Sequence, residues 1–201
     1  PITLTAHRGN WQRYTARQRS KKFAPIAEKV LARDADTCLF CGFNCDKFQS
    51  VVNINHDYKD NKIDNLATSC SFCAQCFILD GLAQSRDSGG HVIYMPEVSQ
   101  ADLNHFCRAL FCSMMREAPY KGKLQTTYLS LKDRSAPVET MFGTGSSDAG
   151  LFGQSLMDIT SKNASAESAA ILKDLRLLPI RKYFKPQIEY WKDTVYQDMP
   201  L

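Results

Sequence analysis

The residues with the clearest chemical signature are four cysteines in two short knuckles, Cys38-x-x-Cys41 and Cys70-x-x-Cys73. A Cys-x-x-Cys turn presents two sulfurs on one side, with backbone N–H groups aimed at them. Two such turns supply the four thiolates of a closed tetrahedral zinc site. The intervening chain is long enough for a hairpin and loop that bring the knuckles together. Cys38, Cys41, Cys70 and Cys73 are therefore the expected ligands of a structural Zn2+, and reduced thiols in a cytosolic compartment are favoured over disulfides. Cys45 and Cys76 each lie just beyond a knuckle cysteine and could compete as alternative ligands. A second site using Cys45, Cys76 and His56 would need a fourth ligand that the sequence does not name. Cys107 and Cys112 fall in an apolar segment and read as core residues.

The next candidate is His56, which ends an extended stretch and is followed by Asn65-Leu66 before the second knuckle. This layout, over about residues 36 to 85, resembles the zinc-stapled HNH endonucleases. That resemblance implies an acidic residue or His at the strand end to bind a catalytic metal, then a His that activates water. It also implies a mid-motif Asn that orients the loop, and a His or Asn after the last cysteine as a further ligand. His56 matches the general base and Asn65-Leu66 the middle motif. Asn55 stands at the first ligand position and Ala74 at the closing one. A divalent metal that polarises a phosphate needs hard, preferably anionic oxygen ligands; alanine offers none and an amide a weak one. Asp57 beside His56 is a single carboxylate, a poor metal site. The expectation is no catalytic residue and no enzyme. The alternatives are an HNH-type nuclease with rewired ligands and a zinc module that binds nucleic acid without cutting it.

Charge gives the nucleic-acid alternative modest support. The 201 residues carry a net charge of +4, with a sequence pI near 8.6, below the value typical of dedicated nucleic-acid modules. One basic cluster precedes Glu28, comprising Arg8, Arg13, Arg17, Arg19, Lys21 and Lys22, with Trp11 and Tyr14 interleaved. It reads as the solvated face of a helix, or else as a docking strip for an acidic partner or phosphates. With 44% hydrophobic residues, the chain can bury a core of its own, so zinc would organise the fold locally. No apolar run is long enough to span a membrane, and no charged segment followed by an apolar one opens the sequence.

These residues need elements to position them. Residues 10 to 35 read as helical, interrupted at Pro25. Val52 and Ile54 alternate with Asn53 and Asn55 in the period of a half-buried strand. Residues 60 to 65 read as a polar turn. Phe72, Phe77, Ile78 and Leu82 suggest one helix running from the second knuckle to about Ser85. The Asp87–Gly90 stretch signals a turn before a short strand over His91–Tyr94. Ser99 and Asp102 form a capping pair opening a helix, with Leu103, Phe106, Leu110 and Met114 on its inner face. The glycines at 143, 145, 150 and 153 read as a loop. Asn163 reads as the cap of a helix carrying Ile171, Leu175 and Leu178. Ile180, Phe184, Ile188, Trp191 and Val195 form a second stripe divided near Pro186, more suited to the chain's own core than to a partner.

Across nearly its whole length the chain resembles the IcmJ/DotN family. The likeness is carried by Asn10-Trp11-Gln12-Arg13-Tyr14, Cys38-Leu39-Phe40-Cys41-Gly42-Phe43 and Cys70-Ser71-Phe72-Cys73-Ala74-Gln75-Cys76-Phe77. It continues through Tyr94–Gln100 and Phe152-Gly153-Gln154. The resemblance implies a non-catalytic component of the Dot/Icm type IVB secretion machinery. Such a component binds the C-terminal extension of the coupling ATPase DotL, alongside other coupling-complex subunits, and helps scaffold effector recruitment. It implies a cytoplasmic protein held at the inner-membrane face through its partners, with no stable nucleic-acid partner. The expected fold is α+β: a single domain over residues 1–201, with a treble-clef, HNH-like zinc core at about 36–85 bearing short hairpin strands. Helical elaborations at 1–35 and 98–201 complete it.

Overall fold

The computed structural model describes residues 2–85, 89–116, 120–161 and 172–198. The helix cap expected at Asn163, and Ile171 with it, lie outside these residues, as do Asp87 and Ser88 of the turn at Asp87–Gly90. The fold is α+β, with two small antiparallel sheets among the described residues.

Helix α1 (Asn10–Gln18) and helix α2 (Ala24–Arg33) open the chain. The second starts with Pro25 in its first turn, where proline's missing N–H costs nothing, so the proline divides two helices. Arg17 is buried, donating to Val51 O, Asn53 Oδ1 and Asn61 Oδ1 while stacking 4.6 Å from the Tyr58 ring centroid. One member of the basic cluster thus ties the helix to the hairpin, and Arg13, Arg19, Lys21 and Lys22 stay at the surface.

Strand β1 (Gln49–Asn53) pairs with β2 (Leu66–Cys70), matching Gln49 to Cys70 and Asn53 to Leu66. The strand ends at Asn53, two residues earlier than the expected alternation. Ile54 is 49% exposed and Asn53 is fully buried, its amide donating to the carbonyls of Asp57 (2.8 Å) and Asp60 (2.6 Å). A buried amide needs its hydrogen bonds, and the turn supplies them. That turn closes with a 3-10 segment over Ile63–Asn65.

The helix after β2 is shorter than its apolar pattern suggests. Helix α3 (Ser71–Gln75) gives way to a 3-10 segment at Leu79–Gln84. Strand β3 (Gly90–Tyr94) follows, and helix α4 (Gln100–Met114) is capped as expected by Ser99, whose Oγ accepts the Asp102 N–H at 3.1 Å. Leu103, Leu110 and Met114 are buried; Phe106 is 46% exposed. Helices α5 (Lys121–Asp133) and α6 (Ala136–Phe142) come next.

Helix α7 (Ala149–Ser161) replaces half of the expected glycine loop. A Cβ at Gly153 would sit 2.3 Å from the Leu79 carbonyl oxygen, and one at Gly150 would sit 2.5 Å from the Ala83 nitrogen. The two glycines are a helix face without side chains, on which the backbone of 79–84 lies directly.

Leu175 and Leu178 belong to a strand, not a helix. Strand β4 (Leu175–Pro179) pairs antiparallel with β3, Tyr94 facing Leu175 and Gly90 facing Pro179. A 3-10 turn at Arg181–Phe184 leads into helix α8 (Lys185–Asp193), with Pro186 in its first turn. From the C-terminal stripe Phe184, Ile188 and Trp191 are buried, while Val195 is 44% exposed. Trp191 packs edge-on to Phe43 (5.4 Å) and Phe72 (5.3 Å), so the C-terminal helix lies against the knuckles. Edge-to-face pairs of this kind add about 0.5–1.5 kcal/mol beyond burial.

Candidate metal centre

The first knuckle is a tight turn closed by Cys38 N–H to Phe43 O (2.9 Å) and Gly42 N–H to Cys38 O (2.8 Å). The Leu39 N–H bonds to Thr68 O at 3.0 Å, fastening this turn to β2. Cys70 ends β2 and Cys73 lies one turn into α3, so the strand-to-helix corner forms the second knuckle. The pairing of β1 with β2 brings the two turns together. The sulfurs of Cys38, Cys41, Cys70 and Cys73 all lie within 4.8 Å of one another, with those of Cys41 and Cys70 3.8 Å apart. Zn–S bonds of about 2.3 Å give a tetrahedron with edges of about 3.8 Å, so this set of soft donors fits a zinc-sized ion. Among the described residues no other group of three or more His, Cys, Asp or Glu side chains could hold a metal.

Cys45 and Cys76 stand outside this cluster. The Cys76 thiol donates to Phe72 O (3.4 Å), and burial pushes its pKa far above the ordinary thiol range. Burial also raises the Cys45 thiol. The second site conceived from Cys45, Cys76 and His56 is not assembled. Cys107 and Cys112 are core residues, both pushed up to about 12 by burial, and all eight cysteines are free.

The surroundings of the cluster come from α4, and sequence reasoning missed them. Arg108 is fully buried and, among the described residues, no carboxylate pairs with it; its Nη2 donates to Cys41 Sγ (3.3 Å) and Cys70 Sγ (3.4 Å). The guanidinium lies 3.9 Å from the Phe43 ring centroid, a cation–π contact. Its Nη1 donates to His105 Nδ1 (3.1 Å), which leaves the His105 Nε2–H to donate to Cys41 O at 2.5 Å. One turn earlier, Asn104 Nδ2 donates to Cys73 Sγ at 3.2 Å. Asn104 Oδ1 accepts from Gln100 Nε2 (2.9 Å), and Gln100 also pairs with both the carbonyl and the N–H of Leu177 on β4. A polar relay thus runs from the second sheet to the knuckles. The signal was present: Asn104 and Arg108 are four apart on the stripe that carries Leu103, Cys107 and Phe111.

A buried guanidinium requires an anion, and here the anions are sulfur. Burial alone would lower the Arg108 pKa; the charges on Cys70 and Cys41 outweigh it and raise the value. Hydrogen bonds from Cys38, Cys70 and Cys73 hold Cys41 far below the ordinary thiol range, with Arg108 adding to the effect. Burial pushes Cys70 well up, and its thiol neighbours push Cys73 up. Four clustered sulfurs cannot all ionise on their own. A divalent cation among them would make all four anionic, leaving a net charge that Arg108 and Asn104 are placed to offset.

The residues matching the nuclease pattern assemble differently. Asn65 performs a loop-orienting job: its amide donates to Asn55 Oδ1 (2.9 Å) and Asp60 O (2.8 Å), and its Oδ1 accepts the Asn55 N–H (3.0 Å). Asn55 is thereby spent on the turn. His56 sits in the left-handed region at φ +59°, with its carbonyl held by Asn10 Nδ2 at 2.6 Å. Its ring stacks on His7 and packs against Phe77. Burial first, and His7 second, lower its pKa, and its Nδ1 is buried without a hydrogen bond. Ala74 is buried within α3.

No protein-family model matches the chain. Over 198 residues it is 39% identical to a Legionella pneumophila protein described as type 4 apparatus protein DotN, a match spanning 98% of this chain and 92% of that one.

Proposed function

The chain belongs to the DotN family, and from that premise we propose that it is a non-catalytic, zinc-stabilised subunit of a type IVB secretion coupling complex. In this reading Cys38, Cys41, Cys70 and Cys73 bind one structural Zn2+, and the hairpin with α3 forms a treble-clef, HNH-like core. Helices on both sides complete a single domain that binds the C-terminal extension of the coupling ATPase DotL and helps scaffold effector recruitment.

The four-sulfur cluster with a buried Arg108 against it carries the metal part of the proposal. The partner part rests on the named relative being a type 4 apparatus protein. Two observations support a non-catalytic role: Asn55 is engaged in its own turn, and Ala74 has no donor where a nuclease of this layout needs one. No helix among the described residues is long and apolar enough to cross a membrane, which accords with attachment to the inner-membrane face through partners. Stable nucleic-acid binding is not part of the reading.

Calorimetric titration of the zinc-loaded chain with the DotL C-terminal extension tests the proposal. One-to-one binding is the expected result. No binding at micromolar concentrations, together with magnesium- or manganese-dependent DNA cleavage lost in His56→Ala, would replace it with the nuclease reading.

A further inference from the structure

Two arginines are buried among the described residues, Arg17 at 7% exposure and Arg108 at 0%. Arg108 has the knuckle sulfurs against it. Arg17 has neutral partners throughout: Nη1 donates to Asn53 Oδ1 and Asn61 Oδ1, and Nη2 donates to Val51 O. Its guanidinium lies 4.7 Å from the Phe23 ring centroid and 4.6 Å from that of Tyr58. No carboxylate pairs with it among the described residues. At Arg108 burial lowers the pKa and the charges on Cys70 and Cys41 more than reverse it. At Arg17 burial lowers the pKa, and Tyr58 and Tyr14 restore only part of it. A charge held out of water without a counter-ion is costly until an anion approaches it.

Arg17 lines a pocket of about 490 Å³ between α1, the start of α2 and the turn after β1. Arg13, Lys22 and Ser20 line it too, while Phe23, Ile26 and Tyr58 supply its apolar surface, and the lining holds no Asp or Glu. Among the described residues neither Arg13 nor Lys22 forms an ion pair; the same holds for Arg8, Arg19 and Lys21 of the same basic strip. The pocket therefore gathers three cations, one of them buried, and no anion.

The surroundings narrow the choice of anion. Most of Arg17's donors are already spent on Val51, Asn53 and Asn61, so it offers charge rather than the two-pronged grip that a phosphate takes. A nucleic-acid strand calls for cations along a track and open aromatic faces, and both Phe23 and Tyr58 are buried. A bilayer calls for exposed apolar side chains beside the cations, and the exposed large hydrophobics among the described residues all lie at Leu39 or beyond. An acidic side chain brings one negative charge on a methylene stem that suits the apolar walls. We propose that this pocket receives a Glu or Asp side chain from an acidic segment of a partner protein. Arg13 and Lys22 hold its carboxylate, its charge offsets that of Arg17, and further acids of the segment meet Arg19 and Lys21. The pocket would bind such a segment whether or not its owner is DotL.

The test uses the full zinc-loaded chain. A displayed library of random dodecapeptides is panned on the wild type with counter-selection on the double variant Arg13→Glu, Lys22→Glu. Recovered peptides should carry Asp or Glu and lose at least tenfold in affinity in that variant. The double variant Lys121→Glu, Lys123→Glu changes the net charge equally at exposed positions of α5 and should bind them as the wild type does. Ala16 is exposed and lines the pocket, so Ala16→Glu brings in a carboxylate of the chain's own. It should raise the thermal melt by about 2 °C or more and weaken the peptides at least tenfold. An effect on the helix alone has the opposite sign, since an acid in the last turn of α1 opposes the helix dipole. Recovery of no peptide that distinguishes the wild type from the pocket variant overturns the proposal, as does an unchanged or lowered melt in Ala16→Glu. Peptides without acids, or equal losses in the α5 variant, refute the pocket as a carboxylate site. Inorganic phosphate or phosphatidylglycerol vesicles that bind the wild type more tightly than any peptide, and not the pocket variant, would make it a phosphate site instead.

Discussion

Replacing Arg108 by methionine should cost far more stability with zinc bound than without it. With four thiolates around a divalent ion, Arg108 Nη2 donates to two of them at 3.3 and 3.4 Å from a fully buried position. Hydrogen bonds to charged groups are worth about 1.5–3 kcal/mol each, and removing one member of a buried charge pair costs about 3–5 kcal/mol. For a chain of this length, about 1 kcal/mol shifts the melting temperature by about 2–4 °C. The zinc-loaded Arg108→Met protein should therefore melt about 6–20 °C below the wild type. After chelation Cys70 and Cys73 regain protons, and Cys41, held far below the ordinary thiol range, is left as the anion beside the guanidinium. Methionine then costs clearly less than in the zinc-loaded protein. Because binding and folding are linked, the difference must also appear as weaker zinc affinity: a coupling of about 3 kcal/mol corresponds to about a hundredfold. Competition with a chromophoric chelator reads the affinity, and calorimetric melts read the stability. Arg108→Lys, which keeps the charge but not the two-pronged geometry, should fall between. Equal destabilisation with and without metal, or unchanged zinc affinity, would sink the charge-offset argument.

Elemental analysis should find one zinc per chain, lost in Cys41→Ser. Chelation should speed amide hydrogen exchange across residues 36–85 while α5 and α6 keep their protection; unchanged exchange in that core would count against a structural metal. His56 resists protonation in the fold, its pKa being lowered from the ordinary 6.5. The unfolded chain takes up the proton first, so stability is complete above about pH 6.5 and declines as pH falls below it. His91, also lowered by burial, acts in the same direction. His56→Asn, which suits the left-handed backbone, should melt with a shallower acid dependence between pH 7 and 5; an identical slope refutes the assignment. Gly153→Ala gains helix propensity of about 1 kcal/mol, yet its Cβ would fall 2.3 Å from Leu79 O. The clash should prevail, with a net loss of about 1–3 kcal/mol in denaturant unfolding.

The gathering of four sulfurs was legible because each knuckle is local: three residues of sequence fix the distance between paired sulfurs, and a hairpin brings the pairs together. The Ser99 cap and the β3 strand were legible for the same reason. Misreadings arose where distant chain decides the outcome. Leu175 and Leu178 fit a helical face as well as a strand until β3 is available to pair with β4. Gly150 and Gly153 look like loop residues unless the backbone at Leu79 and Ala83 is known to lie on them. Arg108 was passed over because an apolar helix was read by its leucines, and the sulfurs that justify a buried cation lie on other elements. Ile54 looked inward by alternation, but Asn53 took the buried end of the strand to satisfy Asp57 and Asp60 carbonyls.

The relay through Gln100 bears on the order in which the molecule assembles. Gln100 joins Leu177 across 77 residues of sequence, whereas the Cys41–Cys70 contact spans 29. Loop closure is slower and entropically dearer for the longer span. The knuckles can therefore gather, and take up an ion, on a ribosome that has not yet released strand β4. The second sheet must wait for the end of the chain. Between those events Gln100 and the inner face of β3 stand without partners, and this is the interval in which a nascent chain would be open to proteases and to wrong pairing. Trp11, beside Gly81, and Trp191, against Phe43 and Phe72, would report the two stages as separate fluorescence phases.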